Sequence, residues 1–254
     1  TMKTQDTIGA LDDLRQVVGS DVPVVCAQNG VENERLAARR FANVYSMLVQ
    51  MPATFLTPGE VIVNASGVSG VLHAGRYPGS VDETITELCA GLEASEFASS
   101  PTAGILRLKY TKLLQNLGNA VQAVCGADSD ADTTRQLGQA LRTETLAVYE
   151  AAGIDFATAR EFGEETGRLK RGDVEGFDRG GGSTWQSLAR GAGSIETDYL
   201  NGEVILLGTL HGVPTPANRA LQDCAVRALR DGLQPGAIAP LEVLEIARGY
   251  GWPG

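Results

Sequence analysis

KYTKLLQNLGNA, residues 109–120, opens a long run with helical periodicity. At about 100° per residue, Lys112, Asn116 and Asn119 fall within roughly 60° of one another on a helix. Leu113, Leu114, Leu117, Val121 and Val124 gather on another face, so the spacing predicts an amphipathic helix. Its polar side is unusual. Solvated faces are generally built from Glu, Lys and Arg, whereas here one ammonium is flanked by carboxamides. Two readings stand side by side: a solvated face, or the lining of a site for a small polar ligand.

Toward the C-terminus from this stretch, nearly everything reads as helix. The predicted segments are 105–125, 132–152, 156–171, 195–211, 217–231 and 239–248. Asp155 ahead of one helix, and Pro216 and Pro240 near the starts of two others, support the assignment. Residues 172–183, GDVEGFDRGGGS, read as a Gly-rich, charged loop. Toward the N-terminus the character is mixed. VPVVCAQNG (Val22 to Gly30) is a continuous apolar run ending in Asn-Gly, as in a buried parallel strand. Glu32 to Arg40 reads as a helix, Val44 to Val49 as a strand, and Thr84 to Ala94 as a helix. Pro58 to Gly75 reads as two short strands with a turn at Ser66-Gly67. TMKTQDT reads as a loop, followed by helical spacing from Ala10 to Val18. The sequence therefore divides into an α/β part, residues 1–100, and an all-α part, residues 101–254.

Composition narrows the function classes. The chain has 254 residues and a net charge of −10, with 43% hydrophobic and 20% charged residues. That is an ordinary globular balance. The acidic surface argues against nucleic acid and anionic membrane as partners, while leaving room for a local basic spot that takes a small anion. Four cysteines, Cys26, Cys89, Cys125 and Cys224, lie far apart, and the two histidines are His73 and His211. No spacing suits a metal site or a disulfide framework, so reduced thiols in a cytoplasmic protein are the simple reading. No apolar run is long enough to span a membrane.

Four stretches in order carry a resemblance. They are KTQDT (Lys3 to Thr7), QNGVENE (Gln28 to Glu34), KLLQNLGNA (Lys112 to Ala120) and IETDYLNGEVILLGTLHGVPTPAN (Ile195 to Asn218). With them the chain resembles the ketopantoate reductase family over essentially its whole length. The resemblance implies a partial Rossmann (doubly wound) α/β domain. An all-α C-terminal domain of the 6-phosphogluconate dehydrogenase-like type follows it, and the active site lies in the cleft between the two. It implies NADPH-dependent (NADP as cofactor) reduction of 2-dehydropantoate to pantoate, on the route to pantothenate and coenzyme A. It carries Lys112 as the catalytic lysine and Glu196 as the acidic residue of a TEID-type segment. Asn116, Asn119 and Ser183 follow as substrate-binding residues, and Lys3 and Asn29 as residues near the cofactor. It implies no metal. A homodimer is expected, since helical C-terminal domains often pair.

The chemistry of these residue types agrees. Hydride addition to a ketone places negative charge on oxygen. An ammonium can stabilise that charge and then donate the proton, a contribution of about 10²–10⁴-fold. Carboxamides bind hydroxyl and carboxylate groups without adding charge. Glu196 suits holding the lysine, the substrate or the nicotinamide ribose. His211 reads as the end of a helix before Gly212, and Trp185 as packing for the Gly-rich loop.

The chain also departs from the family. The strand-GxGxxG-helix segment that holds the cofactor pyrophosphate is not found within these residues, and the KTQDT-like stretch that normally follows it stands at position 3. The expectation is therefore a Rossmann domain without its first part. Ala120 stands eight residues after Lys112, where the family has a second asparagine, and Asn119 comes one position early. Ser183 precedes Glu196 by one residue more than usual, which makes Thr184 an alternative counterpart. Two alternatives to the ketopantoate reductase follow. One is a closely related 2-keto acid reductase. The other is a non-catalytic, truncated remnant serving as a dimerisation or binding module.

Overall fold

In the computed structural model, residues 1–126, 129–177, 181–191 and 193–254 are described. Two compact units emerge. Unit one comprises residues 1–113 and 155–179, and unit two comprises 114–154 and 180–254. The change from mixed to helical character comes at Ile105, near the residue-100 division expected from sequence. The compact units instead divide inside one helix, because residues 155–179 return to pack with the α/β part.

Unit one is built on a small sheet. Strand β1 (Pro23–Cys26) runs parallel to β2 (Asn43–Met47), and the two are joined by helix α2 (Glu32–Ala38). This is one βαβ unit of a doubly wound sheet. Strand β7 (Ala74–Arg76) pairs antiparallel with the other edge of β2. Alternation along β2 covers both faces. Val44 joins Leu11, Cys26, Leu36 and Phe41, bringing in α1 (Thr7–Val17) and α2. Tyr45 and Met47 join Ala74, Ile85 and Cys89, bringing in α3 (Glu83–Glu93). Pro23 sits at the first position of an edge strand, where its missing N–H breaks no ladder bond.

Several expectations for this unit are corrected. The opening TMKTQDT is not a loop throughout. A 3₁₀ turn (Thr4–Asp6) leads directly into α1 at Thr7. The first strand stops at Cys26 rather than running to Gly30, whose φ of +75° turns the chain into α2. Between β2 and β7 lie short strands, β3 (Ala53–Thr54), β4 (Ile62–Val63), β5 (Ala65–Ser66) and β6 (Gly70–Val71). No hairpin forms across Ser66-Gly67. β6 pairs in parallel with β8 (Phe97–Ala98), while β5 pairs with β9 (Lys170–Arg171) from the far end of the unit.

The helix expected over 156–171 is shorter, α6 (Ala159–Thr166). A capping box between Thr158 and Glu161 fixes its start, with the Thr158 amide donating to Glu161 at 2.8 Å. Asp155 is not its cap and instead binds Arg107 at 2.9 Å.

Helix α4 (Ile105–Cys125) carries the opening stretch and crosses from unit one into unit two. Unit two adds α5 (Ala131–Ala151), α7 (Ser183–Ala189), α8 (Thr197–His211), α9 (Pro216–Arg230) and α10 (Pro240–Gly249). Helix α7 has no counterpart among the expected segments, and its seven residues are too few for a periodic signal. Pro216 and Pro240 occupy the first turns of their helices, as anticipated. Val121 and Val124 of α4 join Leu141, Leu188, Leu221 and Leu244 in one core. Small residues on α9, among them Ala217, Ala220 and Ala228, let its neighbours approach closely. Trp185 packs against this core. His211 is exposed at the end of α8, before the left-handed Gly212 at φ +70°. All four cysteines are buried and free. Burial pushes the Cys26 and Cys125 thiols up to about 12 and Cys224 to about 11, so they stay neutral core residues.

Residues 178–180 of the Gly-rich loop lie outside the described residues. Among those described, no helix is long and apolar enough to cross a membrane, and no His, Cys, Asp or Glu group is placed to hold a metal.

Candidate functional site

Two of the motif stretches interlock in unit one. Asn33, fully buried on α2, donates to Thr4 Oγ1 at 3.1 Å and to the Asn29 carbonyl at 3.2 Å. Thr7 Oγ1 donates to Asn33 Oδ1 at 2.7 Å and accepts from Gln28 Nε2 at 2.9 Å. These side chains satisfy one another away from water, so KTQDT and QNGVENE form one rigid piece. Lys3 sits half-buried at its edge, immediately before the 3₁₀ turn. Asn29, also half-buried, has its Oδ1 enclosed with no hydrogen-bond partner among the described residues. Its side chain is the part of this piece left over for something else.

Beside it lies a narrow recess in unit one, lined by Gln28, Asn29, Gly30, Leu48, Lys109 and Lys112. The structure therefore brings Asn29 and Lys112 to one wall. Lys112 is half-buried, and no hydrogen bond or ion pair is made to its ammonium among the described residues. Burial, with a smaller repulsion from the Arg171 guanidinium on β9, lowers its pKa to about 8. The polar line of α4 is not a solvated face. Only Gln115 and Gly118 are exposed between residues 111 and 125, and Asn116 is 4% exposed with its Nδ2 lacking an acceptor among the described residues.

In unit two, the second half of α4 meets the start of α7. The Gly182 amide donates to Gln122 Oε1 at 2.8 Å, and a Cβ added at Gly182 would come within 3.1 Å of Asn119 Oδ1. Asn119 thus lies against the residue preceding Ser183, which begins α7 half-buried, while Thr184 behind it is 3% exposed. Glu196 is buried at the N-terminal boundary of α8, where its carbonyl accepts from Tyr199 at 2.9 Å. A carboxylate there is favoured by the helix dipole.

One residue of the recess wall, Lys109, escaped the sequence reading together with its partner Glu34. Lys109 is 3% exposed and donates to Glu34 of α2, itself fully buried. The signal was present. Lys109 lies within roughly 80° of Lys112, Asn116 and Asn119 on a helical projection, so the polar line begins one turn earlier.

Residues 1–79 match the sequence model described as "Ketopantoate reductase PanE/ApbA", and residues 104–228 match "Ketopantoate reductase PanE/ApbA C terminal". A 2-dehydropantoate 2-reductase of Aquifex aeolicus is 24% identical over 86% of this chain and 71% of its own. Among solved structures, a PanE/ApbA family ketopantoate reductase from Ralstonia eutropha JMP134 is similar with a TM-score of 0.72. It is 23% identical, covering 91% of this chain and 74% of the other. A ternary structure of D-mandelate dehydrogenase with NADH and anilino(oxo)acetate has a TM-score of 0.75 at 19% identity, covering 91% and 75% of the two chains. The fold, a mixed α/β region followed by a helical C-terminal domain, is shared with these structures.

Proposed function

Since the chain belongs to the ketopantoate reductase (PanE/ApbA) family, we propose that it reduces a 2-keto acid with a nicotinamide cofactor. Ketopantoate and NADPH are the proposed natural pair. One observation carries the reading: the half-buried ammonium of Lys112, without a partner among the described residues, on the wall of a recess that also presents Asn29.

The residues present fit the nicotinamide end of such a cofactor. Asn29 offers an enclosed acceptor without a partner among the described residues, and Gly30 turns the backbone beside it with no side chain in the way. Lys3 and Asn29 are the groups proposed to hold it. The chemistry supplied by the bound cofactor is hydride donation. The chain's own task is to manage charge and the proton. Lys112 Nζ–H donates to the ketone oxygen, stabilises the negative charge that develops there, and gives up its proton to form the alcohol. With a pKa near 8, the ammonium is mostly protonated at neutral pH and releases its proton more readily than an ordinary lysine. Solvent then restores it. Asn116 is proposed to bring its enclosed N–H donor, which lacks an acceptor among the described residues, to a substrate oxygen. Asn119 and Ser183 are proposed as further substrate contacts, and Glu196 as the second catalytic residue. We carry a homodimer as part of the proposal, supported by Leu206 and Leu210, exposed 47% and 67% on α8. A cytoplasmic location is the reading that suits four free thiols.

A second reading is NADH-linked interconversion of another 2-keto acid with its D-2-hydroxy acid. It is favoured by Ala120, which removes a polar group from the family's substrate set, and by the likeness to D-mandelate dehydrogenase. The test is a panel of rates. NADPH and NADH oxidation would be followed with ketopantoate and with aliphatic and aromatic 2-keto acids. Preference for ketopantoate with NADPH supports the first reading, and preference for an aromatic keto acid with NADH supports the second. Binding of ligands without turnover of any keto acid would sink both in favour of a non-catalytic module.

A further inference from the structure

The two lysines of the recess stand three residues apart on α4, yet their surroundings are opposite. Lys109 is enclosed and spends its charge on Glu34, with the two side chains 2% and 0% exposed. Lys112 has no counter-ion among the described residues. A buried pair of this kind is a poor stability device, because desolvating two ions offsets most of their attraction. Its placement suggests another use. Glu34 Oε2 is enclosed and without a partner among the described residues, so the carboxylate has acceptor capacity to spare. Lys112 stands one turn along the helix from Lys109, and residues three apart on a helix are neighbours, so the pair and Lys112 share one face of α4. Within unit one the charged or titratable groups about the recess are Lys109 and Lys112 from α4, Glu34 from α2, and Arg171 from β9. Cys26 from β1 also senses Glu34 and Lys109, and it stays neutral.

We propose that Lys109 and Glu34 are positioning residues that form an internally neutralised unit, leaving Lys112 without a counter-ion among the described residues that line the recess, free to meet the carbonyl and carboxylate oxygens of a 2-keto acid. The nature of the ligand rests on the reductase reading; the effect on Lys112 does not. Removing one charge of the pair acts on Lys112 in a definite direction. Without Lys109, the Glu34 carboxylate holds the Lys112 ammonium and makes it a poorer proton donor. Without Glu34, Lys109 becomes a second bare cation beside it. Removing both leaves Lys112 as it was.

The test uses the four lysines of the chain, dimethylated with a ¹³C label and assigned by single Lys→Arg variants. The Lys112 titration midpoint is read by NMR alongside kcat and KM for ketopantoate. In Lys109→Met the midpoint rises by about one unit, and kcat falls more than KM changes. In Glu34→Gln the midpoint moves down instead. In the double variant both the midpoint and kcat return to wild-type values. Single variants that lower the melting temperature without moving the Lys112 midpoint would overturn the proposal and leave a purely structural pair. Should one single variant not fold, the other decides, because a Lys112 midpoint that stays at the wild-type value in a folded single variant overturns the proposal. Absence of turnover in the wild type sinks the reductase reading, while the titration still settles the pair.

Discussion

Each unit buries a charged group, and the two are treated in opposite ways. In unit two, Glu144 of α5 is 8% exposed, and burial pushes its carboxyl pKa up. Its oxygens are nonetheless fully used. They accept from the Ala217 amide at 2.7 Å, the Asn218 amide at 3.0 Å and Asn218 Nδ2 at 2.9 Å. Helix α9 has no side-chain cap of its own, since Thr215 makes none, and Glu144 supplies one from another helix. Asn218 in turn accepts from Asn201 at 3.1 Å, which ties α8 to the same point. In unit one, Lys112 is half-buried, desolvated enough to lower its pKa, and left without a partner among the described residues, beside an Asn29 oxygen that also lacks one. A buried charge that is satisfied holds a fold together. One that is left bare costs stability, which makes it a candidate for completion by a ligand.

That contrast can be broken by experiment. The largest effect is expected at Lys112. Replacement by alanine lowers kcat for keto acid reduction by about 10²–10⁴-fold, with the melting temperature unchanged or raised, as a desolvated ammonium is removed. Unchanged turnover in rate assays contradicts its role. Glu144→Ala should do the reverse. It strands three N–H donors and costs about 3 kcal/mol, a fall of roughly 6–12 °C in melting temperature for a chain of this size, while kcat per folded molecule holds in calorimetry-matched assays.

The pH dependence sharpens the comparison. In the proposed mechanism Lys112 must be protonated, so kcat/KM is expected to fall about tenfold per unit above roughly pH 8. Stability runs the other way. The folded pKa is depressed below about 10.4, so the unfolded chain binds the extra proton between these limits and stability rises with pH across that window. Denaturant titrations at pH 8 and 10 check the sign. Asn33→Ala opens the network that joins KTQDT to QNGVENE and is expected to cost about 2 kcal/mol, read from the same titrations. The smallest effect is at Arg171. Alanine there removes a repulsion, so the Lys112 midpoint rises and the alkaline fall in rate moves to higher pH.

How much was legible in the sequence follows the range of the interactions. Helices α4, α5, α8, α9 and α10 are long and periodic, and proline marks two of their starts, so their bounds could be read within a residue or two. The βαβ unit was legible because an apolar run, a turn and a helix follow one another locally. Strands β5 and β9 were not, since residues Ala65 and Arg171 find each other only in the folded chain. Lys109 was hidden for the same reason. Its position on the polar line of α4 could have been read, but its partner Glu34 lies 75 residues away in a motif whose reading gave that glutamate no role. The orphaned atoms of Asn29 and Asn116 are properties of packing that no spacing reveals.

The central claim is that Lys112 is a desolvated, uncompensated ammonium poised to give up a proton. Its direct measurement is the titration of the ¹³C-dimethylated Lys112 by NMR in the wild-type chain, with and without a 2-keto acid. The account predicts a midpoint about two units below that of an ordinary lysine, near 8, and an upward move when the anion binds. A midpoint near 10.4 that the keto acid does not move would show a solvated surface lysine and contradict the account.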